Sequence, residues 1–203
     1  MKYLQISVRR SGQRAIRGWM LNILNLCPGR RFCWNEQLHG TSWFTYSTGI
    51  NERIIADARE EPFITLESFP LNAVLDVVKA MPDRVVVICL RGLLETIASS
   101  YKLAVNRGDK LEWSRSTIAT CYCCWRQYLD LDGIKIYYEP WVLDLDYRID
   151  VAKQLGVDWY DGFPYDAVDA SAFSKVDRIS LCTRHFGLMN DPDFLAILRY
   201  IFG

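Results

Sequence analysis

The first two dozen residues carry the pattern that most constrains the fold of this chain. A short apolar segment at 3–8 runs into a polar loop at 9–14, which holds three arginines and one glycine, and a helical pattern follows at 15–24. A helix N-terminus presents unpaired backbone N–H groups and the positive end of the helix dipole. An arginine-rich loop at that place predicts a strand-loop-helix unit that binds a phosphate group.

The loop differs from the Walker A motif of nucleoside triphosphatases. That motif, G-x-x-x-x-G-K-[ST], requires two glycines and a lysine followed by serine or threonine. The loop at 9–14 has neither the second glycine nor the lysine. A nucleoside triphosphatase is therefore not the first expectation, and a buried strand followed by a surface helix with solvated arginines is the alternative explanation.

A second segment places an arginine at the end of a buried strand. Residues 85–90 are apolar, Arg91 and Gly92 follow them, and a helical pattern runs from 93 to 106. Ser99 lies eight residues beyond Arg91, about two turns into that helix. A guanidinium fork and a hydroxyl together suit a phosphate monoester, so the two residues are predicted to share an anion.

Strand and helix patterns alternate along the chain. Strands are expected at 3–8, 63–66, 85–90 and 134–138, and helices at 14–26, 71–80, 93–106, 114–129, 146–155 and 191–202. The alternation predicts an α/β fold with a three-layer α/β/α arrangement and a central parallel sheet. Ligands of such sheets bind beyond the carboxyl ends of the strands, where the 9–14 loop and Arg91 would meet.

Composition and charge limit the domain count and the partners. The 203 residues are 50% hydrophobic with no Pro- or Gly-rich linker, so a single domain spanning 1–203 is expected. The 24 basic and 24 acidic residues cancel, which argues against nucleic acid as a partner. No apolar run approaches the roughly eighteen residues of a membrane span, and no signal-peptide pattern precedes the first strand. A cytoplasmic location is therefore predicted.

The cysteines favour a reducing compartment over a disulfide framework. There are seven of them, an odd number, and most lie in apolar segments. Cys121, Cys123 and Cys124 fall in a predicted helix, where positions two apart point away from each other, and no second Cys or His pair follows at zinc spacing. They are predicted to be buried thiols, and no metal site is expected.

Three segments of the chain resemble the sulfotransferases that use 3′-phosphoadenosine 5′-phosphosulfate (PAPS). The sequence at 8–12, followed by a helix, is similar to that family's 5′-phosphosulfate loop, P-[RK]-S-G-T-T, with Arg10 at the basic position. The sequence at 91–99 matches the first and last residues of the 3′-phosphate motif, R-[DN]-P-x-D-x-x-x-S. The sequence at 134–141, with 149–157 after it, resembles the family's strand ending in Tyr-Glu and helix ending in Leu-Gly-Val. Together with Trp125, these segments follow the family's order over roughly residues 1 to 157.

The resemblance implies a transferase that moves a sulfuryl group in line from PAPS to a hydroxyl or amine. The acceptor would be a small molecule or a carbohydrate, and no metal would be required, because arginines stabilise the leaving group. Arg10 would carry the main catalytic charge. The resemblance assigns nucleotide binding to Arg9, Arg10, Ser11, Gly12, Gln13, Arg14, Arg91 and Ser99.

The family's acceptor base has no direct counterpart in this chain. Ser68 stands where the cytosolic enzymes have a histidine two residues before a proline, here Pro70. The neighbouring Glu67 is the first candidate for the base, as a glutamate is in some Golgi sulfotransferases, and a solvated or helix-capping carboxylate is its alternative role. His39, in a polar loop, is the second candidate and is preferred to His185 near the C-terminus.

Other departures from the family keep two further functions open. Gln13 and Arg14 replace two hydroxyl residues, Gly92 and Leu93 replace an acidic residue and a proline, and the C-terminal glycine-rich loop is not recognisable. A nucleotide or nucleoside kinase and a non-catalytic nucleotide-binding relative are the alternatives. Candidates to replace the missing loop are Lys175, Arg178 and Arg184, and the aromatic residues expected either in an acceptor pocket or in the core are Trp34, Trp43, Phe44 and Tyr46.

Overall fold

The protein folds around one parallel sheet with helices on both faces. The computed structural model describes residues 1–26, 41–45, 56, 58–109, 111–157, 182–183 and 185–203. The strands are β1 (Lys2–Ser7), β2 (Thr41–Thr45), β3 (Phe63–Glu67), β4 (Arg84–Leu90) and β5 (Ile134–Tyr137). The helices are α1 (Gln13–Ile23), α2 (Leu71–Ala80), α3 (Leu93–Arg107), α4 (Leu111–Leu129), α5 (Tyr138–Leu143), α6 (Leu145–Gln154) and α7 (Pro192–Phe202), with a 3-10 turn at Phe186–Leu188.

The strand order brings the two predicted anion-binding segments to the same edge. The five strands run in the order β2-β3-β1-β4-β5, and every neighbouring pair is parallel. Ser7, the last residue of β1, lies opposite Glu67 of β3 on one side and Cys89 of β4 on the other. The loop after β1 and the residues after β3 and β4 therefore leave the sheet together.

Alternate residues of the strands pack into two separate cores. On one face Tyr3, Phe63 and Val87 pack with α1, α5 and α6, and on the other Leu4 and Ile64 pack with α2 and α4. This alternation follows from the two-residue period of a strand whose two faces are both covered. The predicted α/β fold, with a strand-loop-helix unit at its N-terminus, is confirmed.

Most predicted elements are present, and the differences are local. The helix predicted to run to 26 ends at Ile23, the strand predicted to run to 138 ends at Tyr137, and β2 and α5 were not predicted. Tyr138 begins a helix that has Pro140 in its first turn. Proline suits this place, because the N–H groups of a first turn make no hydrogen bond within the helix, whereas it would interrupt a longer strand.

The cysteines of α4 are only partly as predicted. Cys121 and Cys124 are buried against the sheet, whereas Cys123 is exposed, because it lies on the solvent-facing side of the helix between them. Across the described portion of the chain, no helix has both the length and the apolar character needed to traverse a membrane.

Candidate functional site

The loop after β1 has an unusual backbone. Arg10 lies at φ 68° and Gly12 at φ 78°, and Ser68, which follows the neighbouring strand β3, lies at φ 57°. Left-handed values are unfavourable for residues with a side chain and are concentrated at functional sites. The Arg9 backbone N–H donates to the Ser68 hydroxyl at 2.8 Å, so this bond joins the two strained turns.

The N-terminus of α1 is left open by its own sequence. Gly12 is the N-cap residue and offers no side chain, whereas α6 and α7 are capped by Asp144 and Asp191. The Ser11 hydroxyl beside this helix end is fully buried and has no hydrogen-bond partner within the described residues. An open helix end and an unsatisfied buried hydroxyl fit an anionic ligand at this loop.

Arg10 links the loop to the helix after β4. Its Nε donates to the Ser99 hydroxyl at 3.2 Å, and its carbonyl oxygen accepts from Arg91 Nη1 at 3.5 Å. Three residues that the sequence assigned to two different phosphates are thus in contact at one edge of the sheet.

Arg91 is held by two carboxylates in addition to these contacts. Its Nη2 lies 3.7 Å from Glu95 Oε2 and its Nε lies 3.6 Å from Glu139 Oε1. The guanidinium carbon is 4.8 Å from the centre of the Tyr138 ring, and the Arg91 carbonyl accepts from the Trp125 indole N–H at 2.7 Å. A phosphate at Arg91 would therefore compete with carboxylates. Glu139 is the more accessible partner, with 24% of its side chain exposed against 5% for Glu95.

Glu67 lies at the end of β3, where it is buried and hydrogen-bonded. Its Oε1 accepts from Gln13 Nε2 at 2.6 Å. Burial raises the pKa of the Glu67 carboxyl, and the positive charges of Arg14, Arg9 and Arg17 lower it in part, as does the bond from Gln13. The carboxylate is therefore close to the loop after β1 and shielded from bulk water.

Two further residues of the site were not selected from the sequence. Glu95 is buried between Arg91 and His185, whose Nδ1 and backbone N–H both contact Glu95 Oε1. An available signal for Glu95 was its place in the first turn of α3, close in sequence to Arg91, which precedes that helix. No local signal could have placed His185, which lies 90 residues away along the chain.

A cleft opens beside the loop. Its lining includes the side chains of Arg9, Arg10 and Arg107 together with apolar residues of α3 and α4, and Asp109 is its acidic member. Arg107 is a third cation that sequence reasoning missed. The excess of arginine makes this cleft suited to a negatively charged ligand.

Several sequence candidates lie outside the described residues, namely His39, Trp34, Tyr46, Lys175, Arg178 and Arg184. Trp43 and Phe44 belong to β2. Within the part of the chain that the structure describes, no three His, Cys, Asp or Glu side chains are grouped as a metal ion would require.

Comparisons with known proteins give a likeness in fold. No family model matches the chain, and no curated protein matches its sequence. Among solved structures, one that is similar is the sulfotransferase domain from the Synechococcus PCC 7002 olefin synthase, with 19% identity and a TM-score of 0.46. The match covers 72% of this chain and 60% of that domain, so this chain spans less than two thirds of the solved structure's length.

Proposed function

We propose that this protein is a PAPS-dependent sulfotransferase that modifies a hydroxyl or amine of a small molecule or carbohydrate. The observation that carries the proposal is the contact of Arg10 with both Ser99 and Arg91. These residues come from the two segments that resemble the family's 5′- and 3′-phosphate motifs. A nucleotide with phosphates at both ends of its ribose would need both segments at one place.

The first segment would hold the 5′-phosphate. The open end of α1 supplies backbone N–H groups, Arg10 supplies a cation, and the buried Ser11 hydroxyl supplies a donor that is otherwise unsatisfied. Positive charge at this position would stabilise the leaving oxygen as its bond to sulfur breaks. Arg9 and Arg14 add positive charge nearby.

The second segment would hold the 3′-phosphate through Ser99 and Arg91. Because Arg91 is already paired with Glu95 and Glu139, a bound phosphate would displace the more exposed Glu139 and leave the buried Glu95 contact in place. The charge of Glu95 then keeps the guanidinium oriented while its other edge faces the phosphate.

Glu67 would act as the general base for the acceptor. Its burial raises the pKa of its carboxyl, which makes the group a better proton acceptor in the neutral range than an exposed glutamate. We also place the protein in the cytoplasm, a choice supported by the free cysteines of the described residues. We treat 1–203 as one domain.

Calorimetric titration with adenosine 3′,5′-bisphosphate tests the nucleotide site. We expect binding that Arg10→Ala and Ser99→Ala each weaken by about tenfold or more, which corresponds to about 1.4 kcal/mol. Arg126→Ala is the matched control, because Arg126 is an exposed arginine of α4 that contacts Tyr122 instead of the site. ATP with magnesium serves as the competing ligand, and its preference over the bisphosphate would favour a kinase and overturn the proposal.

Turnover of radiolabelled PAPS with a panel of phenols, sugars and amines tests the reaction. Transfer that Glu67→Gln abolishes supports the assignment of the base. Tight bisphosphate binding without transfer to any acceptor class would identify a non-catalytic nucleotide-binding relative instead.

A further inference from the structure

Gln13 is fixed from two sides by the sheet. Its side-chain Nε2 donates to Glu67 Oε1 at 2.6 Å, and its backbone carbonyl accepts from Gln5 Nε2 at 3.0 Å. Gln5 lies on β1 and Glu67 on β3, so Gln13 connects the first residue of α1 to both strands. Both residues are buried, with 5% of Gln13 and 6% of Glu67 exposed.

The two residues in this contact are also two of the places where the chain departs from the family motifs. Gln13 stands where the family's phosphate loop has a hydroxyl residue, and Glu67 stands beside the position of the family's histidine. The structure shows Gln13 and Glu67 bonded to each other. A short hydroxyl side chain at 13 would lack the length of glutamine and its amide donor.

We infer that Gln13 is a positioning residue whose side chain holds the Glu67 carboxylate for proton transfer, while its backbone N–H remains part of the phosphate loop. This inference rests on the proposed function and deepens its account of the base. In the step it serves, Glu67 accepts the proton of the acceptor hydroxyl as the acceptor oxygen bonds to sulfur. The sulfur–oxygen bond to the 5′-phosphate breaks, and the leaving phosphate oxygen keeps the electron pair.

The surroundings of Glu67 explain why a positioning residue is needed. Arg9 of the loop and Arg14 and Arg17 of α1 act on the carboxylate with positive charge, and the thiol of Cys121 on α4 is close enough to interact with it. A carboxylate free to rotate would pair with one of these arginines, where it is a poor base. The bond from Gln13 fixes one oxygen and leaves the other for the acceptor.

Gln13→Met tests the inference, because methionine has a similar length and no donor. Gln127→Met, at an exposed position of α4, is the matched control. We expect kcat to fall about tenfold in Gln13→Met, which is a fraction of the rate enhancement that a general base contributes. The affinity for adenosine 3′,5′-bisphosphate should stay unchanged within about twofold. Gln13→Thr, which is too short to reach Glu67, tests the same contact if the methionine variant does not fold.

Titration of the Glu67 carboxyl by carbon-13 NMR provides a readout that does not depend on activity. The glutamate signal is assigned by its loss in Glu67→Gln. Because the Gln13 bond lowers the pKa of this carboxyl, we expect a higher pKa in Gln13→Met, and the acidic limb of kcat/KM should move in the same direction.

The outcomes separate the inference from the proposed function. An unchanged Glu67 titration in Gln13→Met, or a loss of bisphosphate affinity at unchanged kcat, would overturn the positioning role and make the Gln13 side chain a phosphate ligand or a structural residue. Failure of the wild-type protein to bind the bisphosphate would refute the proposed function itself, whatever the titration shows.

Discussion

The ring of Tyr138 occupies the space next to Gly12 that any side chain at that position would need. A Cβ atom added to Gly12 would lie 2.1 Å from Cδ2 of Tyr138, well inside contact distance. Gly12 also has φ 78°, a value that residues with a side chain rarely adopt. Two independent constraints therefore require glycine at this place in the loop.

Gly12→Ala should destabilise the protein more than the backbone alone explains. Left-handed strain contributes about 1–2 kcal/mol, and the clash with Tyr138 adds about 1–3 kcal/mol. Gly108→Ala is the control, because Gly108 has φ 68° and no atom within 4 Å of an added Cβ. Urea denaturation measures both variants, and equal losses would show that the ring moves aside without cost.

Glu95→Gln should destabilise the protein more than Glu139→Gln. Glu95 is buried against both Arg91 and His185, whereas Glu139 is partly exposed and pairs with the same guanidinium. Removing one charge of a buried pair costs about 3 kcal/mol, while a partly exposed pair contributes about 1 kcal/mol or less. Thermal and urea denaturation compare the two variants, and the reverse order would mean that Glu139 is the main partner of Arg91.

The stability of Glu67→Gln relative to the wild type should rise with pH. Burial raises the pKa of the Glu67 carboxyl above its ordinary value of 4.5. When the pKa of a carboxyl is higher in the folded protein than in the unfolded chain, its contribution to stability is fully present below the pKa of the unfolded state. That contribution is lost as the pH rises through the pKa of the folded state. The neutral glutamine variant has no such loss.

Urea denaturation of both proteins between pH 4 and neutrality measures this difference in unfolding free energy. Glu60→Gln is the control, because Glu60 is exposed. It shows how the unfolding free energy changes with pH when a surface carboxylate is removed. A difference between Glu67→Gln and the wild type that stays constant or falls with pH would contradict the prediction.

The cysteines of α4 should differ sharply in reactivity. Burial raises the pKa of Cys121 to about 12 and that of Cys124 to about 11, and both thiols are shielded, whereas Cys123 is exposed. With a chromogenic disulfide near pH 8, we expect Cys123 to react in the folded protein and its neighbours only after unfolding. Peptide mapping of the labelled sites checks this, and Cys123→Ser should remove the fast site on α4. Fast labelling of Cys121 in the folded protein would show that the helix opens.

The fold followed from the sequence where apolar periodicity and loop chemistry agreed. The parallel sheet, and the edge where a ligand was expected, could be predicted from the buried runs at 3–8 and 85–90, each of which is followed by a helix. β2 was missed because a strand of five residues is too short to carry a clear periodicity. The sequence also placed Arg10, Arg91 and Ser99 at one edge, where the structure has them in contact.

The contacts that define the site could not be predicted in the same way. Gln13 meets Glu67 across 54 residues, and His185 meets Glu95 across 90. Such pairs depend on strand order and on how loops leave the sheet, which no local pattern encodes. The left-handed backbone of Arg10 was equally hidden, since glycine is the usual residue for such a conformation.

The abrupt change from β5 to α5 has a consequence for how a ligand would meet the site. Tyr138 follows the last strand residue with no intervening loop, and its ring touches both Gly12 and the guanidinium of Arg91. The Tyr138 ring thus lies between the two halves of the site, directly after a strand whose register with β4 is fixed by backbone pairing. A ligand docking on one half would therefore find the other half already nearby, and the main cost of completing the pocket would be the displacement of Glu139 from Arg91.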